Sequence, residues 1–116
     1  MINLYVDEAY AFDYLSILEI KKKNSDNDML NYSSCERLIT NQIGAELFDS
    51  IKTSVQYSKL VETNQLVYNQ IERIRNGEKL DAKEVDDANM LRFKYKKDLQ
   101  SHFFNTKLAE QKTKEV

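Results

Sequence analysis

Residues that interrupt helices are scarce in this sequence, which has no proline and two glycines among 116 residues. Because proline and glycine are the least favourable residues inside a helix, their scarcity favours long helices. The chain also has a single cysteine and a single histidine. The single cysteine, Cys35, excludes an internal disulfide bond and is typical of a reducing compartment. A zinc site built from several nitrogen and sulfur ligands is therefore not expected.

Long apolar runs and a strong net charge are absent as well. No run approaches the ~20 apolar residues of a membrane-spanning helix, and the acidic N-terminal stretch lacks the basic-then-apolar order of a signal peptide. We therefore expect a cytoplasmic protein without membrane insertion. The formal net charge is −2, and 41% of the residues are hydrophobic. This composition is typical of a single globular domain over residues 1–116, in which the polar end, 105–116, is expected to fray.

Apolar spacing and capping residues predict an all-α fold, an antiparallel bundle of about four helices. The first helix should run from a cap at Asp7 to about Lys23, and the polar loop 24–28 should follow it. The second helix should begin near Asp28. Its apolar positions at intervals of three or four are Tyr32, Cys35, Ile39, Ile43, Leu47 and Ile51. Gly44 lies inside this pattern, so the second helix is either continuous or kinked there.

Two further helices are predicted to form a long C-terminal hairpin. The third helix should run from Val55 to about Asn76, where Gly77 ends it. Asp81 provides a capping-box-like start for a fourth helix that reaches at least Phe104. Because only a few residues join these two helices, they should be antiparallel neighbours.

A polar seam is predicted along the middle of this hairpin. If residues at equal distances from the loop face each other, pairs at its ends are apolar, such as Val61 with Leu99, whereas pairs in its middle are polar. The polar pairs are Asn64 with Lys96, Tyr68 with Arg92, and Glu72 with Asn89.

Three interpretations of this seam stay open. The side chains lie at the edge of the hairpin with their charged ends in water, or they form an internal network that sets its register. Alternatively, Arg92, Lys96 and Asn89 present donors to an anionic small molecule, and Tyr68 and Glu72 shape the pocket.

Three blocks of the sequence have the spacing of known motifs. The string from Asp13 to Lys21 is similar to the motif D-x-L-T-I-L-E-I-K. A second block, similar to N-x-x-L-W with a trailing acid and I-R, contains Asn64, Val67, Tyr68, Glu72, Ile74 and Arg75. A third block, similar to N-x-x-R-x-x-x-K-x-x-I, contains Asn89, Arg92, Lys96 and Leu99. Through these blocks most of residues 6–99 resembles a family of small uncharacterised bacterial helical domains associated with surface-polysaccharide genes.

The resemblance implies an accessory role rather than a reaction. It also nominates Asp13 and Glu19 of the first helix as acidic partners of Arg75, Arg92 or Lys96. The chain departs from the family at Ala9-Tyr10, where the family has Gly-Glu, at Tyr14, where it has Lys, and at Tyr68, where it has Trp. Any role of those family positions therefore does not carry over to this chain.

No residue pattern predicts catalysis, a metal or a cofactor. The tightest acidic cluster, 81–87, opens the fourth helix, where the helix dipole favours carboxylates, and no second acidic pair faces it to complete a Mg²⁺ site. Cys35 has no histidine at a definable distance, so it is not a predicted nucleophile. Basic and aromatic residues are mixed at 92–97, but the helix spreads them over several faces beside acidic residues. Nucleic acid is therefore not an expected partner.

These observations predict a non-catalytic interaction or accessory module that forms a homo-oligomer or binds a protein partner. The alternative is binding or turnover of an anionic sugar or nucleotide at the polar seam, with a small-molecule ligand in place of a protein. The candidate seam residues are Asp13, Glu19, Asn64, Tyr68, Glu72, Arg75, Asn89, Arg92 and Lys96.

Overall fold

The computed structural model describes residues 1–2, 4–23 and 25–109, which form five α-helices. They are α1 (Glu8–Lys21), α2 (Asp26–Ile43), α3 (Ala45–Lys52), α4 (Val55–Arg75) and α5 (Ala82–Phe104). The described ranges contain no β-strand, which confirms the predicted all-α class. Within those ranges, none of the helices has the length and apolar character needed to cross a membrane.

Gly44 divides the second predicted helix into α2 and α3. Its φ of 92° lies in a region that glycine adopts readily and other residues avoid, so the helical path stops there. The Gly44 N–H donates to the Thr40 carbonyl at 2.8 Å, and the Gly44 carbonyl accepts from the Phe48 N–H at 3.0 Å. Gly44 therefore ends one helix and begins the next. The predicted number of about four helices is wrong by one for this reason.

Serine and aspartate side chains cap the helices that follow the loops. Ser25 accepts from the Asp28 N–H and so begins α2 at Asp26, slightly earlier than predicted. Ser54 accepts from the Tyr57 N–H and begins α4 at Val55. Asp81 in turn accepts from the Lys83 N–H. The predicted bounds of the last two helices agree with the structure to within one residue.

The start of α1 is capped by α5 rather than by the neighbouring aspartate. Asp7 precedes the helix as predicted, but its carboxylate makes no capping hydrogen bond. Instead, the N–H of Ala9 in the first turn donates to Gln100 Oε1 at 2.8 Å. Gln100 is 1% exposed. A buried amide from a distant helix thus satisfies a donor that the first turn of any helix leaves unpaired.

The segment 105–109 passes back along the beginning of α1. Asn105, with a φ of 53°, ends α5 in the left-handed conformation. Leu108 is buried in the core, and the Ala109 N–H donates to Asp7 Oδ2 at 2.9 Å. Residues 110–116, the rest of the end that is expected to fray, lie outside the described residues.

The core forms around α1, which contacts α2, α4 and α5, while α3 packs between α2 and α4. Phe12 of α1 is completely buried. Its ring stacks on Phe48 with 5.8 Å between ring centres and meets Tyr57 edge-on at 6.1 Å. The buried apolar residues are Ala9, Phe12, Leu15, Leu18, Tyr32, Ile39, Phe48, Ile51, Tyr57, Leu60, Ala88, Leu99 and Leu108. In residues 65–98 this set contains Ala88 alone, so the core lies toward one end of α4 and α5.

The α5 residues that contact the last turns of α4 lie closer to the loop than the predicted register places them. These two helices make the most extensive contact between any two helices of the described chain. Near the loop, Gln70 Nε2 donates to the Glu84 carbonyl at 3.2 Å and Arg73 Nη1 to Glu84 Oε1 at 2.9 Å. The predicted register, with Glu72 opposite Asn89, would instead place residue 70 opposite residues 90–91. The predicted hairpin register is therefore corrected.

Candidate functional site

Asp13 is a buried carboxylate that joins α1 to α5. Arg92 donates through Nε to Asp13 Oδ1 at 3.0 Å and through Nη2 to Oδ2 at 2.7 Å. The Asp13 side chain is 4% exposed and the Arg92 side chain 28%. This bidentate geometry gives the strongest arginine–carboxylate pairs, and it fixes the orientation of the guanidinium.

Asn64 of α4 completes the group around this carboxylate. Its Nδ2 donates to Asp13 Oδ1 at 2.8 Å and to Ser16 Oγ at 2.7 Å. Ser16 Oγ donates in turn to the Asp13 carbonyl at 2.6 Å. We call these four residues, Asp13, Ser16, Asn64 and Arg92, the Asp13 cluster. Among the described residues, every buried side-chain nitrogen and oxygen has a hydrogen-bond partner, and this includes the buried polar atoms of the cluster.

A second polar cluster lies near the C-terminal end of α1. Lys52 Nζ donates to Glu19 Oε1 at 2.6 Å and to the Tyr32 hydroxyl at 2.6 Å. The Tyr57 hydroxyl also donates to Glu19 Oε1, at 3.2 Å. The Lys52 ammonium lies 5.1 Å from the centre of the Tyr32 ring and 4.8 Å from that of Tyr57. We call these four residues, Glu19, Tyr32, Lys52 and Tyr57, the Glu19 cluster.

The electrostatics of the Glu19 cluster stabilise its ion pair. Burial opposes the charge of Glu19, but the hydrogen bond and charge of Lys52 and the Tyr57 hydroxyl outweigh it and lower the pKa of Glu19. Burial likewise disfavours the Lys52 ammonium, but Glu19 and Tyr32 outweigh it and raise the Lys52 pKa. Burial and the negative charge of Glu19 raise the pKa of Tyr57 far above its ordinary value. Burial raises the pKa of Tyr32 as well, so the cluster holds a carboxylate, an ammonium and two neutral phenols at neutral pH.

The structure brings together some of the predicted seam residues and separates others. Asp13, Asn64 and Arg92 meet in the Asp13 cluster, so the pairing of Asp13 with Arg92 that the family resemblance nominates is present. Glu19 pairs with Lys52 of α3. The seam is thus corrected: its polar contacts centre on α1, because α1 crosses the hairpin and inserts its carboxylates between the other helices.

The remaining seam residues contact their own helices. Arg75 Nη1 donates to Glu72 Oε1 at 3.1 Å on the surface of α4, where the Arg75 side chain is 71% exposed. Asn89 Nδ2 donates to the Val85 carbonyl at 3.1 Å, one turn earlier in α5. Tyr68 is half-buried. No hydrogen bond joins Glu72 to Asn89 among the described residues. The predicted facing of Tyr68 with Arg92 stays a prediction.

Sequence reasoning missed Ser16, Tyr32 and Lys52. Ser16 lies three residues after Asp13 on the same helix face, and that spacing was the one available signal for it. Tyr32 and Lys52 reach Glu19 from two other helices. Lys52 occupies the last turn of α3, where a cation suits the helix dipole, so nothing in its local sequence indicates a buried ion pair.

A cleft opens between α1 and α5 beside the Asp13 cluster. Its volume is about 340 Å³. The lining residues are Tyr10, Asp13, Tyr14 and Ile17 from α1 and Asn89, Arg92, Phe93 and Lys96 from α5. Tyr10 and Tyr14 are half exposed, whereas Lys96 is buried with its ammonium 5.8 Å from the centre of the Tyr10 ring. We call this feature the α1–α5 cleft.

An apolar stripe follows α4 and changes from buried to exposed halfway along the helix. Its members recur at alternate steps of three and four residues and so share one face: Tyr57, Leu60, Asn64, Val67, Ile71 and Ile74. Tyr57, Leu60 and Asn64 are at most 4% exposed, whereas Ile71 is 44% and Ile74 is 51% exposed. We call this set the α4 stripe.

Comparison of the chain with protein-family models, with curated proteins and with solved structures finds no match.

Proposed function

We propose that this protein is a non-catalytic interaction module that self-associates through the exposed half of the α4 stripe. One observation carries the proposal, namely that Ile71 and Ile74 continue a face that is fully buried at Leu60. An apolar helix face is stable in water when another element covers it. A second copy of the same face would provide that cover.

The stripe is exposed where α1 no longer covers α4. Hydrogen bonds between these two helices join Glu19 to Tyr57 and Asp13 and Ser16 to Asn64. Among the described residues, no hydrogen bond from α1 reaches α4 beyond Asn64. The later turns of α4, with Ile71 and Ile74, therefore extend past the helix that buries the earlier turns.

The charges around the exposed half favour a second copy over a strongly charged partner. Residues 64–92 have five basic and six acidic side chains. Many of these charges are already paired within the chain: Arg73 with Glu78 and Glu84, Arg75 with Glu72, and Lys83 with Asp87. Two copies related by a two-fold axis would thus meet with little net repulsion and place like apolar surfaces together.

The expected dimer is weak. Full burial of an isoleucine side chain contributes about 1.5–3 kcal/mol, so Ile71 and Ile74, each about half hidden already, would contribute about 1 kcal/mol each. Two copies bring four such side chains, and association itself costs at least about 4 kcal/mol. These four side chains therefore only offset that cost. A dissociation constant in the high micromolar range corresponds to about −4.5 kcal/mol, so the rest of the contact between the two α4 faces would have to contribute a further ~4–5 kcal/mol. The family resemblance, with its accessory role, supports a module that assembles rather than one that reacts.

Sedimentation equilibrium on the full chain, from about 5 µM to about 500 µM, tests this proposal. The wild-type protein should shift from monomer toward dimer as its concentration rises. The double variant Ile71→Glu/Ile74→Glu should remain monomeric, because each new carboxylate would face another across the two-fold axis. The matched control is Leu30→Glu/Leu38→Glu on α2, whose side chains are at least as exposed, at 64% and 62%. The control should dimerise like the wild type.

A wild-type protein that stays monomeric up to the highest concentration would overturn the proposal. A dimer that the α2 variant disrupts as much as the α4 variant would also contradict it, because the contact would then lie elsewhere. Circular dichroism of both double variants checks that each retains its helical content.

A further inference from the structure

We infer that a cavity beside the Glu19 cluster binds a free α-amino acid as a zwitterion. The cavity lies between the C-terminal ends of α1 and α3 and the first turns of α4. Its lining residues are Glu19, Lys52, Tyr57, Ser58, Val61 and Glu62. The inference goes beyond self-association, because Ile71 and Ile74 of the proposed dimer contact lie more than two helical turns further along α4.

The ion pair of the Glu19 cluster leaves one acceptor and one donor unused. Within the described part of the chain, the hydrogen bonds to the Glu19 carboxylate all reach Oε1, from Lys52 at 2.6 Å, Tyr57 at 3.2 Å and Tyr32 at 3.4 Å. Every buried side-chain nitrogen and oxygen of the described residues has a partner, so Glu19 Oε2, which has none there, is exposed to solvent. Lys52 Nζ has three N–H groups and donates two, to Glu19 Oε1 and to the Tyr32 hydroxyl.

The contact between opposite charges selects a zwitterion. Glu19 and Lys52 are in contact, so a ligand with a single charge would be attracted by one of them and repelled by the other at nearly the same distance. An α-amino acid has its own ammonium and carboxylate close together. Its ammonium would donate to Glu19 Oε2 and its carboxylate would accept from Lys52, both in charge-assisted hydrogen bonds. Glu62 does not shift this balance toward a cation, because Lys59 pairs with it at 3.4 Å on the surface.

The Glu19 cluster holds both charged groups in place before a ligand arrives. Tyr32 and Tyr57 contact the pair from α2 and α4, so binding loses less side-chain entropy than it would with two mobile side chains. The cavity volume of about 280 Å³ lies just below the roughly 300–1,000 Å³ of drug-sized pockets and suits a smaller molecule. Val61, which is half-buried, provides an apolar wall for an aliphatic ligand side chain.

An NMR titration of the full chain at pH 7 and constant ionic strength tests the inference with three probes. Valine has both charges, N-acetylvaline lacks the ammonium, and valinamide lacks the carboxylate. Valine should shift the backbone amides near Glu19 and Lys52 and in residues 57–62, and it should saturate in the millimolar range. Each singly charged analogue should bind about tenfold more weakly, because one charge-assisted contact is lost.

Two matched pairs of variants locate the binding. Lys52→Gln should reduce the affinity for valine to that for valinamide, because the partner of the ligand carboxylate is removed. Its control, Lys83→Gln at a side chain that is 80% exposed on α5, should leave the affinity unchanged. Ser58→Trp should fill the cavity and abolish binding, whereas Ser50→Trp, at an exposed position outside the lining, should not. Ser58 is exposed, so its variant should fold and decides the matter if Lys52→Gln unfolds the protein.

Absence of saturable shifts with valine at about 20 mM would overturn the inference, since that concentration exceeds the millimolar dissociation constant expected of the site. Equal affinities for valine, N-acetylvaline and valinamide would overturn it as well, because the two charges would then contribute nothing together. So would equal losses in Ser58→Trp and Ser50→Trp, or undiminished binding in Ser58→Trp, because the amino acid would then bind elsewhere.

Discussion

Asp13 accepts hydrogen bonds from the side chains of two other helices while it is almost completely buried. Burial of a carboxylate is costly unless it is paired, and here Arg92 forms an ion pair with Asp13 while Asn64 donates a further hydrogen bond to it. The same arrangement makes the cluster sensitive, since loss of one partner leaves a buried charge without compensation. Through this one carboxylate, Asp13 connects α1 with α4 and α5.

Replacement of Asp13 by Asn should lower the free energy of unfolding by about 2–4 kcal/mol, because the partly buried Arg92 loses its counter-charge. Urea denaturation followed by circular dichroism measures this change. The matched control is Glu72→Gln, which removes the acid of the exposed pair with Arg75 and should change stability by less than about 0.5 kcal/mol. Equal effects of the two variants would mean that the Asp13 cluster stabilises no more than a surface ion pair.

Glu19 should make the stability of the protein fall at acid pH. Its pKa is lowered below the ordinary 4.5 because, although burial opposes its charge, Lys52 and Tyr57 stabilise it more. A group with a lowered folded-state pKa contributes stability that is complete above its unfolded pKa and is lost as the pH falls through the folded value. The unfolding free energy of the wild type should thus decline below about pH 4.5.

Urea denaturation between about pH 7 and about pH 3 measures this dependence. Glu19→Gln should decline less than the wild type over the acid range, since its side chain does not titrate. Glu46→Gln, at an exposed position of α3, serves as the control and should follow the wild-type curve. A Glu19→Gln curve parallel to that of the wild type would show that the carboxylate gains nothing from its partners.

Helices α2 and α3 show how one residue changes the number of elements. The apolar spacing continues from Tyr32 to Ile51 across Gly44, as it would in one long helix. The backbone of Gly44, with φ 92° and ψ 152°, nevertheless breaks the helix and lets α3 pack between α2 and α4. The apolar pattern indicates which side chains are buried, and the pattern is the same for one straight helix and for two helices that meet at an angle.

Gly44→Ala should lower the free energy of unfolding by about 1–3 kcal/mol, because these backbone angles are essentially restricted to glycine. The substitution introduces no steric clash, since an added Cβ would have no neighbour within 4 Å. Thermal and urea unfolding measure the change. Ser50→Ala, at an exposed position of α3, is the control and should stay within about 0.5 kcal/mol of the wild type. A Gly44→Ala variant as stable as the wild type would mean that the break relaxes into a continuous helix at little cost.

The molecule as a whole consists of a long hairpin, α4 and α5, with α1 packed against the half of the hairpin that lies away from its loop. Helix α2 packs against α1, and α3 contacts α2 and α4. Core residues gather where α1 meets the hairpin, and the hairpin continues beyond them. Two features of interest arise from this shape. The α1–α5 cleft is the corner between the crossing helix and the hairpin, and the exposed half of the α4 stripe is the part that α1 does not reach.

Helix ends are the part of this fold that local sequence predicts well. Ser54 and Asp81 cap helices through N–H groups two or three residues away, and Gly77 follows α4 with a φ of 91°. Such interactions depend on neighbours in the chain, so the residues themselves indicate the boundary. Because these interactions are local, the bounds of α4 and α5 could be predicted from the sequence. For the same reason, Asn64 and Arg92 could be recognised as polar positions in an otherwise apolar helical pattern.

The partners of those positions depend on how the helices cross. Asp13 is 51 residues from Asn64 and 79 from Arg92, and Glu19 is 33 from Lys52. Whether two such side chains meet depends on a crossing angle and on a register, which result from the packing of whole helix faces rather than from any local pattern. Helical periodicity placed Asn64 and Arg92 on the same seam as Tyr68, Glu72 and Arg75. The packing of α1 across the hairpin then gave Asn64 and Arg92 a common partner in Asp13 and left the other three residues outside the cluster.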